Sequence, residues 1–292
     1  MLRVDPQSLR EGAAAAEPLL HLSAITNIGP ALAAAEIGVW ELDMQSGLAV
    51  WDSVTSAILG QPPEPQLDPR FEALLRWKDP RRGYQSPDTI SAAFQDLNLA
   101  AEISDRMIDL VIADLRRWRE EGVEVGHVAI NAAAAEFRRG DFAESLLERL
   151  ETASLPPRLI QLEVTETVFL GRGADYVERA LKTLSAAGVK IALDDFGTGY
   201  ASLSHLRQFP VDLLKIDRSF VREIEADADA AAIIRAVVNL GKSLEIETVA
   251  EGIETAAQHA LLVEKGCDYG QGYFYSRAVS AAEVAERVAG RH

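Results

Sequence analysis

The 292-residue chain carries 45 acidic against 29 basic side chains, a formal net charge of −16 with a pI near 4.8. That balance excludes broad contact with a nucleic-acid polymer, which needs Lys and Arg spread over a wide face. At 48% hydrophobic and 25% charged residues the composition is that of an ordinary water-soluble globular protein with ample core. The single cysteine, Cys267, excludes an internal disulfide and a cysteine-based zinc site and fits a reducing compartment. The opening residues MLRVDPQSLREG lack the apolar stretch of a signal peptide, and no segment approaches ~20 uninterrupted apolar residues, so a cytoplasmic location without a membrane span is expected.

In chain order, residues 1–35 are rich in Ala and Leu and predict a helical lead-in. Residues 37–54, IGVWELDMQSGLAVWDSV, hold two short Val-, Trp- and Leu-rich runs around a turn, the pattern of a β-hairpin. Four prolines in residues 61–69 exclude a central strand there. FEALLRW (71–77) reads as a strand, and 91–121 as a helix broken near Asn98 and stopped by Gly122, with an apolar face through Met107, Leu110, Val111, Ala113 and Leu115. Regular alternation follows. Strands are predicted at 127–131, 159–165, 189–194, 211–216, 246–250 and 268–275, and helices at 141–152, 174–187, 228–243, 255–265 and 281–289.

Such β/α alternation suits an α/β fold, a TIM-like (β/α) barrel, carrying a short N-terminal helical and β-hairpin extension. The expected division is 1–66 for the extension and 67–292 for the barrel. Seven strands are counted, FEALLRW included. The eighth must come from the N-terminal hairpin, or a seam is left whose backbone groups lack partners.

Polar residues sit on nearly every strand: Glu72 and Arg76, Asn131, Glu163 and Glu166, Asp194 and Asp195, Lys215 and Asp217, Glu251 and Glu254, and Gln271. In a barrel, strand ends converge on one mouth. Along LIQLEVTE, alternation turns Gln161, Glu163 and Thr165 to one face, so Glu163 can point inward while its Leu and Val neighbours pack outward. Carboxylates gathered there repel: at ~4 Å a like-charge pair costs about 4 kcal/mol at an effective dielectric of 20. Protons, Lys215 or divalent cations must neutralise them. The donors are Asp, Glu and Asn oxygens, and none of the five histidines has a recognisable metal spacing, a set that selects Mg²⁺ or Mn²⁺ over zinc. Two such ions sharing an Asp could activate water for an in-line phosphoryl displacement. Lys215 as a Schiff-base lysine is the rival reading, disfavoured because such a lysine prefers an apolar pocket.

At these residues the chain resembles the EAL-domain family of cyclic di-GMP phosphodiesterases. The likeness rests on seven motifs in order: EALLRW, the strand end at Asn131, LEVTE, DDFGTGYASLSHL, LLKIDRSFV, ETVAEGIET and QGYFYS. The resemblance implies metal-dependent hydrolysis of cyclic di-GMP, a bacterial second messenger, to linear pGpG on a TIM-like barrel, using two Mg²⁺ or Mn²⁺ ions. By position, Glu72, Asn131, Glu163 and Asp194 would bind the first metal. Asp194 would bridge to the second, helped by Asp195. Lys215 would orient the attacking water and Glu251 would act as general base or complete the metal shell. Arg76, Asp217, Glu254 and Gln271 would face substrate or its water. Glu166 would anchor the loop after Asp195, which in this family couples the site to homodimer contacts.

The family's opening strand, normally a Gln-Pro-Ile-Val type sequence hairpinned onto EAL, is absent. Residues 38–60 instead resemble the beginning of a PAS sensor domain. Two smaller departures are 132–135, which lacks the usual Ser, and Ala278, where the family commonly has Pro. The atypical first strand keeps an alternative open: a catalytically impaired cyclic di-GMP receptor or scaffold.

Overall fold

In the computed structural model, which describes residues 41–43, 70–79, 81–169, 174–197 and 203–289, the short apolar runs become strands of one sheet. β1 (Glu41–Asp43) and β2 (Arg70–Ala73) are followed by a separate small hairpin, β3 (Trp77–Asp79) and β4 (Gly83–Gln85). The alternation then runs α1 (Leu97–Glu120), β5 (His127–Ala132), α2 (Ala134–Phe137), α3 (Phe142–Thr152), β6 (Ile160–Thr165), α4 (Ala174–Ala187) and β7 (Lys190–Phe196). It continues with α5 (Leu203–Gln208), β8 (Leu213–Ile216), α6 (Arg218–Glu223), α7 (Ala228–Leu244), β9 (Glu247–Ala250), α8 (Ala256–Lys265), β10 (Tyr269–Gln271) and α9 (Ala281–Ala289).

The strand order is β1-β10-β9-β8-β7-β6-β5-β2. Every pairing is parallel except β1 on β10, where Glu41 faces Gln271 and Asp43 faces Tyr269. β1 also lies beside β2, so the sheet curls until its end strands are neighbours. No ladder joins those two among the described residues. The eighth strand therefore comes from the stretch read as a hairpin and runs against its neighbour. The hairpin's second arm, most of the PAS-like stretch, the helical lead-in and the 66/67 boundary lie outside the described residues.

Two apolar layers result from period-2 alternation. The outward-facing residues, such as Ile191, Leu193, Leu214 and Ile216, join the helices in the main core. Inside the barrel, Ala192, Leu213 and Val249 pack with Tyr269 as a thin apolar plug. Trp118 anchors the outer layer: buried on α1, 6.0 Å from the Phe71 ring, it donates from Nε1 to the Ala281 carbonyl at 3.0 Å. Among the described residues no helix is long and apolar enough to cross a membrane.

Three element boundaries differ from the sequence expectation. FEALLRW is a strand only to Ala73. The chain then leaves the sheet, and β3 turns into β4 because the Asp79 carboxylate accepts from the Arg81 and Arg82 amides, both at 2.7 Å. The helix expected from 91 is 3₁₀ over Pro87–Gln95, and α1 begins afresh where Asp96 caps the amides of Asn98 and Leu99. The buried stripe of α1 is Ala100, Ile103, Met107, Val111, Leu115 and Trp118, while Ala113 is exposed. The last strand, expected over 268–275, ends at Gln271. There the loop after β9 crosses it, with the Ile253 amide donating to the Gln271 carbonyl (3.0 Å) and the Phe274 amide to the Ile253 carbonyl (2.9 Å).

That crossing requires a glycine. A Cβ at Gly272 would sit 2.2 Å from the Ile253 oxygen and 2.3 Å from its nitrogen, backbone atoms with no room to yield. Gly272→Ala is expected to destabilise the fold by about 1–3 kcal/mol, the scale of overpacking, read as a lower midpoint in urea denaturation. An unchanged midpoint would contradict this account of why β10 is short.

Candidate active site

Each parallel strand delivers a polar side chain to the same end of the barrel. Glu72 stands on β2, Asn131 on β5, Glu163 on β6, Asp194 and Asp195 on β7 and Lys215 on β8. Glu251 directly follows β9, and Gln271 ends β10. Four of the acids meet around one atom. Lys215 Nζ lies 2.5 Å from Glu163 Oε2, 2.6 Å from Glu251 Oε1, 3.7 Å from Asp194 Oδ1 and 3.8 Å from Glu72 Oε2. Lys215 and Glu163 are each 1% exposed. Glu72 is held further by Asn131 Nδ2, which donates to its Oε1 at 2.9 Å, and by Gln271 Nε2, which donates to its Oε2 at 2.6 Å.

The electrostatics follow from one ammonium serving four carboxylates. Burial alone would lower the Lys215 pKa, but Glu163, Glu251, Glu72 and Asp194 outweigh it and hold the group well above its usual range. An ammonium so stabilised is no Schiff-base nucleophile. Burial and the neighbouring acids push Glu163 well above a normal carboxylic acid despite Lys215. Burial, partly offset by Lys215, raises Glu251 to about 7, with Asp194 and Glu72 adding to the rise. Glu72 goes the other way: burial opposes ionisation, but Lys215 and the Gln271 and Asn131 hydrogen bonds prevail. The cluster is short of positive charge.

Adjacent strand residues normally face opposite sides, yet Asp194 and Asp195 act together. Between Leu193 and Phe196, β7 takes three steps while β8 takes two from Leu214 to Ile216, and Asp195 sits in the left-handed region at φ 55°. This bulge turns both carboxylates to the mouth, where one oxygen each of Asp194, Asp195 and Glu251 lie within 4.8 Å of one another. Burial, then Asp194 and Asp217, raise Asp195 to about 6, and Asp195 hydrogen-bonds Asp217. Asp217 caps α6, accepting from the Ser219 amide at 2.9 Å and from its hydroxyl. Glu166, buried just beyond β6, accepts from the Gly197 amide at 3.3 Å and so ties down the start of the loop after β7. Residues 198–202 of that loop lie outside the described residues.

Arg76 and Glu254 are not among the residues that pair with Lys215. Arg76 is half-buried and donates to the Leu75 carbonyl at 2.8 Å, while Glu254 is exposed. Sequence reasoning passed over two residues. Gln258 accepts from the amides of Glu254 and Thr255 at 2.8 and 3.1 Å and completes a capping box with Thr255, shaping the loop after Glu251. The signal was present as Thr-x-x-Gln. Gln161 was placed on the inward face of its strand but given no task; its Nε2 lies 3.2 Å from Glu163 Oε1.

The donor set fits hard divalent ions. It consists of carboxylate oxygens with one Asn amide, its acids outnumber its one cation, and the buried Gln271 Oε1 has no hydrogen-bond partner among the described residues.

Comparison with known proteins agrees with this geometry. Residues 69–278 match the model of the EAL domain. A bifunctional diguanylate cyclase/cyclic di-GMP phosphodiesterase, MucR of Pseudomonas aeruginosa, is 38% identical over 218 residues, 75% of this chain and 32% of the relative. The cyclic di-GMP phosphodiesterase NbdA of the same organism is 35% identical over 217 residues, 74% of this chain and 28% of the relative. The chain thus spans about three-tenths of the length of these relatives. Among solved structures, the MucR phosphodiesterase in complex with c-di-GMP superposes with a TM-score of 0.76 at 32% identity, covering 91% of this chain and 99% of that one. The EAL enzyme Bd1971 in its cGMP-bound form gives 0.78 at 27%, covering 97% and 73%. With its motifs converging on one buried lysine and the family model spanning most of its length, the chain belongs to the EAL-domain family.

Proposed function

We propose that the protein hydrolyses cyclic di-GMP to linear pGpG in a reaction dependent on Mg²⁺ or Mn²⁺. The observation that carries this reading is the convergence of Glu72, Glu163, Asp194 and Glu251 on Lys215 within 3.8 Å. It is supported by relatives and a solved complex whose names pair this domain with cyclic di-GMP. Glu72, Asn131, Glu163 and Asp194 would hold one ion, and Asp194 with Asp195 a second. When bound, the ions lower the pKa of water and neutralise charge building on the phosphate.

The remaining work falls to the chain. Water adds to phosphorus and the P–O3′ bond breaks, leaving a free 3′-hydroxyl and a 5′-phosphate. Lys215, fixed as an ammonium by its neighbours, orients the water and stabilises negative charge. Glu251, with its carboxyl raised to about 7, takes the proton near neutral pH, where a general base is most effective. Gln271 accepts a hydrogen bond at Oε1, which has no partner among the described residues. Arg76 contributes a planar donor fork for a phosphate, and Asp217 and Glu254 border the substrate.

Incubation of the purified protein with cyclic di-GMP and Mg²⁺ or Mn²⁺ is expected to yield pGpG on chromatography. No product with either ion would refute the assignment. Glu251→Gln should lower kcat by about 10²–10⁴-fold, the contribution of a general base. Lys215→Met should abolish turnover and also lower the urea midpoint, since it strands several carboxylates in a buried site at a cost of about 3–5 kcal/mol. Because burial and the neighbouring acids hold the proposed ligand Glu163 well above its usual range and Asp195 at about 6, Mn²⁺ must displace their protons. Calorimetry in buffers of different ionisation enthalpy should show proton release at pH 7 and affinity falling as pH drops toward 6.

A further inference from the structure

We propose that Gln161 is a positioning residue for Glu163, holding the plane of that carboxylate from inside the barrel while Lys215 holds it from the mouth. This rests on the phosphodiesterase reading above. The two residues are alternate positions on β6, both facing inward, and Gln161 is 2% exposed. Its Nε2 donates to Glu163 Oε1 at 3.2 Å, and Lys215 Nζ donates to the other oxygen, Oε2, at 2.5 Å. Two donors on different oxygens fix a terminal torsion that is otherwise broad and roughly two-fold. A carboxylate so oriented presents its remaining lone pairs in one direction, the function of outer partners around a metal ligand.

The neighbourhood argues that the amide is there for a reason. In the ladders Gln161 stands opposite Ala129 on β5 and Lys190 on β7, and the next inward position of β7 is Ala192 of the apolar plug. A buried amide costs about 1–3 kcal/mol unless its groups are paired, a cost that an aliphatic residue would not carry. Below Gln161, on β5, lies His127, which is 7% exposed and which burial, with Arg70 and Lys190 nearby, keeps neutral by lowering its pKa to about 3. The line His127–Gln161–Glu163–Lys215 runs up the barrel interior from floor to mouth.

A merely structural role predicts lost stability with catalysis per folded molecule intact. Positioning predicts something else, and Gln161→Met, which keeps length and removes the amide, separates the two. The expected result is a kcat about 10–100-fold lower with KM for cyclic di-GMP within about threefold of the parent. Mn²⁺ titrated alone into the metal-free protein should bind about 10–100-fold more weakly, the usual size of an outer-partner effect. Gln161→Asn, polar but too short to reach Glu163, should behave alike and supplies the second arm if the Met variant folds poorly. Mn²⁺ affinity and kcat within twofold of the parent in either folded variant, or losses that track the unfolded fraction, would overturn the proposal. The parent's own behaviour tests the other reading separately: a parent that binds no Mn²⁺ and cuts no cyclic di-GMP sinks the functional assignment, whereas a variant-to-parent ratio of one sinks only the role of Gln161.

Discussion

Lys215 lies at the centre of this molecule because a buried ammonium and the acids around it are each untenable alone. Carrying a lone charge out of water costs several kcal/mol even after relaxation. Here the ammonium is 1% exposed and approaches four carboxylates. The acids come from β2, β6, β7 and the end of β9, so the pairing is satisfied only when those strands are in register and the sheet has curled. One charge still cannot match four. Burial first, and the neighbouring acids after it, keep the carboxyls of Glu163 and Glu251 elevated, and the excess of acid over cation suits the mouth to cations.

The barrel places this charge without exposing it. Inward positions alternate with outward ones, so the same strands that pack Ile191, Leu193, Leu214 and Ile216 against the helices offer Asp194 and Lys215 to the interior. Beneath them the plug of Ala192, Leu213, Val249 and Tyr269 lowers the local dielectric and strengthens the electrostatic contacts above it. Glu166, Asp217 and Gln258 work at the rim, each using side-chain oxygens to hold the backbone amides of a loop or helix start.

Much of this was legible in the sequence, and the gaps have physical causes. Apolar runs ending in charge at Asp194, Lys215 and Glu251 announced both the strands and the mouth, because nothing local explains charge at the end of a buried strand. Counting strands pointed to the N-terminal stretch as the source of the eighth, where β1 is found. The end of β10 was hidden because it depends on a long-range crossing by Ile253. The start of α1 was misjudged because the Asp96 cap outranked the apolar period that continues before it. Gln161 was visible as an inward residue, but its partner is settled by rotamer and depth, which alternation does not encode. Arg76 and Glu254, grouped with the cluster by motif, make none of the ion pairs to Lys215.

The left-handed backbone at Asp195 restricts which amino acids this position admits. An ordinary L-residue there bears a steric penalty of about 1–2 kcal/mol, which only Gly and, to a lesser degree, Asn and Asp escape. The repertoire at the second carboxylate of the pair is therefore narrow before any chemistry is considered. Asparagine is the one replacement that removes the charge while respecting both shape and torsion, whereas alanine changes electrostatics and geometry together. Any attempt to rank the two neighbouring acids by mutagenesis depends on that choice.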